Sequence, residues 1–231
     1  MLAMPYNAPV RTTVYSDKKP KKSVCTLIND TLVTLHLHTG ESVHLHSLST
    51  HHTALIHGYY YYYFKALPSE LCITKKQINS YIIAYATPAD HHAYTRGSRE
   101  RLDKAVIFKL LHLFHRETLG VYDLKSVHTA MLVSDAASIA HHDTTVETAL
   151  YKAAGAWLLD STRDAPVFLL TTGVITPLVI NYAEKLGVSW VITRQVPTQA
   201  AYTQAKLATI GLIGLARLHQ FSVFFDKACV I

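Results

Sequence analysis

The last third of the chain alternates between apolar, β-rich segments and helical segments, with regular punctuation between them. Three segments lack polar alternation, which is typical of strands that are buried on both faces. They are residues 166–171, 188–193 and 212–217. Because a helical segment separates each from the next, we predict two consecutive βαβ units and a parallel sheet covered by helices.

The two intervening segments carry residues that start and stop helices. Thr176 is a candidate N-cap, Pro177 suits the first turn, and Gly187 stands where this helix should end. Pro197 opens a second helix that runs towards Gly211. The punctuation therefore supports the predicted order of strands and helices.

Two more helices and a hairpin are predicted upstream. Apolar residues recur at helical spacing over residues 99–115, with Ser98 as the candidate N-cap. Thr144 and Glu147 have the spacing of a capping box and should start a helix that ends at Leu159. The hairpin strands are residues 126–134 and 138–141.

The amino-terminal part differs in composition. Residues 1–22 contain five Lys and Arg and one Asp, a net +4 of the total +6, and we predict a flexible basic tail. Residues 23–96 contain short β-rich segments and predict a small amino-terminal domain, in which residues 50–64 form a helix despite five consecutive tyrosines. Residues 97–231 should form the α/β/α domain. The fold class is α/β, or α+β over the whole chain.

Composition excludes several classes of function. No segment reaches the roughly 18–20 apolar residues of a membrane span, and we expect no membrane partner. The short lysine run lacks interleaved aromatic residues, so we expect no nucleic-acid partner. The three cysteines show no pairing pattern and fit a reducing compartment, so a cytoplasmic protein is expected.

Several segments together resemble the FdhD family of formate dehydrogenase accessory sulfurtransferases. Residues 211–224 resemble the family's closing strand, loop and strand, and residues 196–200 resemble the element that starts its last helix. Residues 127–130 are similar to its Thr-His-Ala-Ala, and residues 141–155 to its segment beginning His-Glu-Asp. The resemblance is strong after His128 and weak before it.

This resemblance implies a fold, a cofactor and partners. The carboxy-terminal domain should be similar to the cytidine deaminase fold. The cofactor would be molybdopterin guanine dinucleotide, or a GDP-like ligand, and the partners formate dehydrogenase and a cysteine desulfurase. The family forms homodimers, and the aromatic run Tyr59 to Phe64 could supply an interface. The cofactor-binding residues by resemblance are Thr198, Ala216, Arg217, Leu218, His219 and Gln220.

The chain also departs from the family pattern. The family relays sulfur through a Cys-x-x-Cys loop, expected here near residues 86–98, whereas the cysteines of this chain are Cys25, Cys72 and Cys229. Sulfur relay needs an attacking thiolate and a second acceptor, so we expect no transfer through a cysteine pair. A transferase that uses Cys72 with an external thiol remains an alternative.

The other catalytic candidates follow from the resemblance. His128 and Asp143 fall on family motif positions, although Asp143 could simply favour a helix dipole. Leu218 and His219 replace paired glycines, which would restrict the approach of a phosphate to the backbone. Enzyme activity is therefore left open, and a non-catalytic protein-interaction scaffold is an alternative function.

Histidine is unusually frequent, with fifteen residues. Four of them alternate around a predicted turn, so a hairpin could bring them to one metal-binding surface. They are His36, His38, His44 and His46. A solvated strand face explains the same alternation and is favoured, so no metal site is assigned. The pairs His51–His52 and His91–His92 are neighbours in sequence, so their side chains need not converge. His91 and His92 also occupy the place of the missing cysteine loop, and His141-His142-Asp143 has the character of an acid–base cluster.

Overall fold

The computed structural model describes residues 7–14, 19, 21–28, 30–48, 50–68, 72–77, 80–84, 88–89, 102–121, 124, 126–160 and 163–226. The amino-terminal part contains eight strands and one helix in these ranges. They are β1 (Asn7–Val14), β2 (Lys21–Ile28), β3 (Asp30–His36), β4 (Ser42–Leu48), α1 (His52–Phe64), β5 (Leu67–Pro68), β6 (Cys72–Gln77), β7 (Ser80–Ala84) and β8 (Pro88–Ala89). The strand orders are β1-β2, β4-β3-β7-β6 and β5-β8.

The prediction of a flexible tail over residues 1–22 is wrong for β1. This strand pairs antiparallel with β2, from Asn7 opposite Ile28 to Val14 opposite Lys21. The reason lies in the β-branched residues of the segment Val10-Arg11-Thr12-Thr13-Val14, whose preference for extended structure outweighs the nearby lysines.

The carboxy-terminal part is built on one six-stranded sheet. Its strand order is β10-β9-β11-β12-β13-β14. The pairs β11–β12 and β12–β13 are parallel, as predicted, and antiparallel strands complete both sides. The elements are α2 (Lys104–Thr118), β9 (His128–Val133), β10 (Ser138–Asp143), α3 (Val146–Leu158), β11 (Phe168–Thr171), α4 (Pro177–Lys185), β12 (Trp190–Thr193), α5 (Gln199–Leu207), β13 (Gly211–Arg217) and β14 (Gln220–Phe225).

Helices cover both faces of this sheet. On one face, α2 packs Ile107 and Phe114 against Met131 of β9 and Trp190 of β12. On the other face, α3, α4 and α5 pack against alternate residues of the same strands, including Leu132. Burial of these apolar side chains is the main stabilising term of the fold. The α/β class predicted from the sequence is confirmed.

Helix α1 packs on α3 and extends the apolar cluster on the face of the sheet that α3, α4 and α5 cover. Gly58 and Gly155 allow this contact, because a Cβ atom at either position would overlap the backbone of the facing helix. Tyr59, Tyr60 and Tyr61 are buried in this cluster, so half of the predicted aromatic interface is core. The cause is the close approach of the two helices, which turns this part of the tyrosine run inward.

Two helix caps differ from the sequence prediction. Helix α2 is capped by Asp103, whose Oδ1 accepts a hydrogen bond from the Ala105 amide at 2.9 Å, and not by Ser98. Helix α3 is capped by Thr145 with Thr148 in a capping box, one position after the predicted pair. The neighbouring Thr144 donates its hydroxyl to the His46 carbonyl instead.

Among the described residues, no helix is both long enough and apolar enough to cross a membrane.

Candidate ligand-binding site

A cavity of about 660 Å³ lies where the parallel strands end. It is bounded by the carboxyl end of α2, by the start of β9, and by residues that follow β11, β12 and β13. The carboxyl ends of parallel strands are the usual location of ligand sites in covered sheets. The volume is within the range of about 300–1,000 Å³ that small-molecule sites occupy.

Two arginines give the cavity a positive lining. Arg194 directly follows β12, donates from Nη2 to the Thr118 hydroxyl at 2.8 Å, and stacks its guanidinium 5.3 Å from the centre of the Phe114 ring. Arg217 ends β13 and donates from Nη1 to the Arg194 carbonyl at 2.6 Å. Both arginines therefore line the cavity, with Arg217 bonded to the backbone of Arg194, and no carboxylate is found among the described lining residues. Such a lining favours an anion.

The His128 imidazole and the hydroxyl-bearing Thr129 and Thr172 complete the wall beside β9, and His142 lies behind Thr129 outside the lining. The Thr129 amide donates to the Thr172 hydroxyl at 3.0 Å, which ties β9 to the end of β11. The Thr129 hydroxyl lies 2.8 Å from His142 Nδ1. Burial lowers the pKa of His142, and the Lys152 charge adds to this effect, so the imidazole is neutral near pH 7.

The predicted residues Ala216 to Gln220 do line the cavity, as does His128. Residues 216–220 are brought there by the turn between β13 and β14 and by an irregular register between Gly214 and Arg217. Thr198 does not line the cavity. It caps α5, because its Oγ1 accepts a hydrogen bond from the Ala201 amide at 3.1 Å.

Sequence reasoning missed Arg194 and Gln195, together with Thr118, Thr129 and Thr172. A signal for Arg194 was present, since it is the first residue after a predicted buried strand and ligands bind at the carboxyl ends of such strands. The contribution of Thr118 depends on how α2 packs, which no local pattern indicates.

Asp143 lies away from the cavity, inside the protein. Its carboxylate is 2.7 Å from the Lys152 Nζ and accepts hydrogen bonds from the Ser47 hydroxyl at 2.7 Å and the Leu48 amide at 2.9 Å. Both charged side chains have no exposed surface. In this structure the carboxylate joins β4, β10 and α3, and it is not accessible to a ligand in the cavity.

The four histidines of the β3–β4 hairpin each contact a separate partner, as expected for the polar strand face that the sequence favoured over a metal site. His36 Nδ1 lies 2.7 Å from the Ser42 hydroxyl, His44 Nδ1 3.0 Å from the Thr34 hydroxyl, and His46 Nδ1 2.7 Å from Asp30 Oδ2. His38 lies beyond β3, with Nδ1 3.1 Å from the Tyr60 hydroxyl. The strand register causes this, because Thr34 stands opposite His44 and Leu32 opposite His46.

Within the described ranges, no group of three or more His, Cys, Asp or Glu side chains could hold a metal ion. Cys72 begins β6, where its Cα pairs with that of Ala84. His91, His92 and the rest of the expected cysteine-loop region at residues 90–98 lie outside the described residues.

The fold and the cavity define an α/β protein with an arginine-lined cavity at the carboxyl edge of its sheet. The model of the FdhD/NarQ family matches residues 67–230. The chain belongs to this family.

Curated relatives agree with this assignment. The chain is 29% identical over 128 residues to the "Sulfur carrier protein FdhD" of Listeria monocytogenes, which covers 54% of this chain and 49% of the relative. It is 33% identical over 112 residues to the protein of the same name from Bacillus licheniformis, covering 48% and 40%. The chain thus spans about half the length of the curated relatives it matches.

A crystal structure from Desulfotalea psychrophila, of a protein assigned as a formate dehydrogenase accessory protein, has the same fold. The TM-score is 0.76 at 17% identity, over 98% of this chain and 100% of the other.

Proposed function

We propose that this FdhD-family chain is a cytoplasmic accessory protein of formate dehydrogenase that holds the guanine nucleotide end of molybdopterin guanine dinucleotide in the cavity. The observation that carries the proposal is that Arg194 and Arg217, at the carboxyl ends of β12 and β13, both line the cavity. A diphosphate carries two phosphate groups, and each can accept hydrogen bonds from one arginine. Such charge-assisted hydrogen bonds are about twice as strong as neutral ones.

The residues present fit a nucleotide diphosphate. Arg194 is anchored through Thr118 and Phe114, so its guanidinium is ordered before a ligand arrives. Within the described residues, Arg217 donates hydrogen bonds to backbone carbonyls only from Nη1, so its other guanidinium N–H groups can face a phosphate. The cofactor would supply its chemistry after delivery to the dehydrogenase, and the residues of this chain need only bind and orient it.

Sulfur transfer through a cysteine pair is not part of this proposal, because no two cysteines of the chain are close in sequence. A relay needs a thiolate and a second acceptor. After incubation with a cysteine desulfurase and cysteine, we expect mass spectrometry to show no added sulfur. A persulfide on Cys72 would instead favour the single-cysteine alternative.

Formate dehydrogenase is the proposed partner, and a homodimer the proposed oligomeric state, both by family membership. Co-purification of the tagged dehydrogenase with this chain tests the first, and sedimentation equilibrium tests the second. A monomer at micromolar concentration would remove the homodimer from the proposal.

Thermal unfolding with and without GDP tests the nucleotide site. A ligand at 100 times its dissociation constant stabilises the folded protein by about 2.7 kcal/mol, so millimolar GDP should raise the melting temperature by several degrees. Inorganic phosphate at the same concentration should raise it less. An unchanged melting temperature with GDP would leave the interaction scaffold as the better account.

A further inference from the structure

Two histidines that are 90 positions apart in the sequence meet at the edge of the sheet. The rings of His51, just before α1, and His141, on β10, have centroids 4.6 Å apart at an interplanar angle of 72°. His51 belongs to the adjacent pair His51–His52, and His141 to the predicted acid–base cluster with His142 and Asp143. The fold brings the His51 and His141 rings together, because α1 starts beside the edge strand β10.

The backbone of His51 is unusual for its position. It stands at the N-cap of α1 with φ 58° and ψ 37°, and its side chain makes no capping hydrogen bond. Positive φ is uncommon outside glycine, and such outliers concentrate at functional sites. Here the left-handed conformation leaves the imidazole against His141 instead of against the helix.

Both rings are chemically suited to coordination. Burial, and then the charges of His51 and Lys152, lower the pKa of His141 to about 4, and burial and Lys152 lower the pKa of His51. A neutral imidazole is the form that binds a metal ion, and the lowered pKa values favour that form. Within the part of the chain that the structure describes, neither ring makes a hydrogen bond, whereas His36, His44, His46 and His57 do.

We propose that His51 and His141 form a two-imidazole site for a divalent first-row transition metal ion, with water completing the coordination. With metal–nitrogen distances of about 2.0–2.1 Å and an angle of roughly 90–110° at the ion, two imidazoles place their ring centroids roughly 4.5–5.2 Å apart. The observed centroid separation of 4.6 Å lies at the lower end of this range. Imidazole nitrogen suits Ni²⁺, Cu²⁺ and Zn²⁺, whereas Mg²⁺ and Ca²⁺ prefer oxygen.

The occupied site would join the start of α1 to the edge strand β10. It lies beside the buried Asp143–Lys152 pair, which joins the same two parts of the chain. A bound ion would stabilise the folded protein by mass action, in proportion to the logarithm of its concentration over the dissociation constant.

The test is calorimetric titration of the untagged full chain with Ni²⁺ at pH 7.5. We expect one binding event that His51→Asn and His141→Gln each weaken at least tenfold. Asn is used at position 51 because it tolerates positive φ. His44→Gln, on the exposed face of the β3–β4 hairpin, is the matched control and should bind as the parent does.

A second measurement needs no substitution. Ni²⁺ is paramagnetic, so the ring-proton resonances of His51 and His141 should broaden before those of the other histidines. Absence of binding to the parent chain would overturn the proposal. So would binding that both variants retain at the parental affinity, or broadening that begins on the β3–β4 hairpin.

Discussion

The Lys152 ammonium lies 2.7 Å from the Asp143 carboxylate, and neither side chain has exposed surface. Asp143 ends β10 and Lys152 lies within α3, so the ion pair is internal to the carboxy-terminal part. Three of its hydrogen bonds reach the amino-terminal part: Asp143 accepts from Ser47 and from the Leu48 amide, and Lys152 donates to the Leu48 carbonyl at 3.0 Å. The pair therefore fastens β4 to the edge of the sheet.

Breaking this pair should be more harmful than neutralising it. Lys152→Met leaves a buried carboxylate without its cation, and we expect a loss of about 3–5 kcal/mol in the free energy of unfolding. Adding Asp143→Asn removes the uncompensated charge and keeps an acceptor for the Leu48 amide. In urea denaturation the double variant should therefore be more stable than Lys152→Met alone.

The control is Arg116→Ala, which breaks an exposed pair with Glu117 at 3.8 Å. Exposed pairs contribute about 0–1 kcal/mol, so this variant should unfold close to the parent. If Lys152→Met were no more harmful than Arg116→Ala, the proposed structural role of the pair would be wrong.

The contact between α1 and α3 requires glycine at its centre. A Cβ at position 155 would overlap the Ala54 carbonyl. Gly155→Ala should therefore separate the two helices and destabilise the protein by about 1–3 kcal/mol, the usual cost of overpacking. Gly120→Ala is the matched control, because no atom lies within 4 Å of its added Cβ. Equal melting temperatures for the two variants would contradict the packing described for α1 and α3.

The rings of Tyr59, Tyr62, Tyr63, Tyr151 and Tyr182 contact one another and predict that the stability of the fold falls in alkali. Burial, followed by the neighbouring Tyr63 and Glu41, raises the pKa of Tyr59 to about 12, and Tyr151 and Tyr182 shift in the same direction. Between pH 10 and 12 the folded state keeps protons that the unfolded state releases, so the free energy of unfolding falls as pH rises.

Tyr59→Phe should reduce this fall, because the substitution removes one of the groups responsible. Tyr202→Phe, whose ring lies on α5 beside Lys206, is the control and should unfold with the pH dependence of the parent. The measurement is chemical denaturation at pH 9, 10 and 11. A steeper pH dependence in Tyr59→Phe than in the parent would contradict the assignment.

The local patterns of the carboxy-terminal part predicted its fold well. Pro177 is at the first turn of α4, Gly187 follows that helix with φ 75°, and the buried strands are where apolar runs predicted them. These features depend on neighbouring residues, which a sequence shows directly. The pairing of β1 with β2 was not predicted, because the lysines near this segment indicate a solvated tail whereas its β-branched residues favour a strand.

The site was predictable only in part, because its members come from separate elements. Ala216 to Gln220 follow a recognisable strand and turn, whereas the anchoring of Arg194 depends on Thr118 of α2. Likewise, His51 and His141 look like surface residues in the sequence, and only the packing of α1 beside β10 brings their rings together. Contacts of long sequence separation carry no local signature.

The central claim is that Arg194 and Arg217 hold a nucleotide diphosphate in the cavity. Isothermal titration of the purified chain with GDP measures this directly, with Arg194→Gln and Arg217→Gln as test variants. Arg116→Gln removes the same charge from the exposed side of α2, outside the cavity, and is the control. A charge-assisted hydrogen bond contributes about 1.5–3 kcal/mol, so each test variant should bind GDP at least tenfold more weakly while the control binds as the parent does. If GDP did not bind the parent chain, or bound both test variants with the parental affinity, the claim would be contradicted.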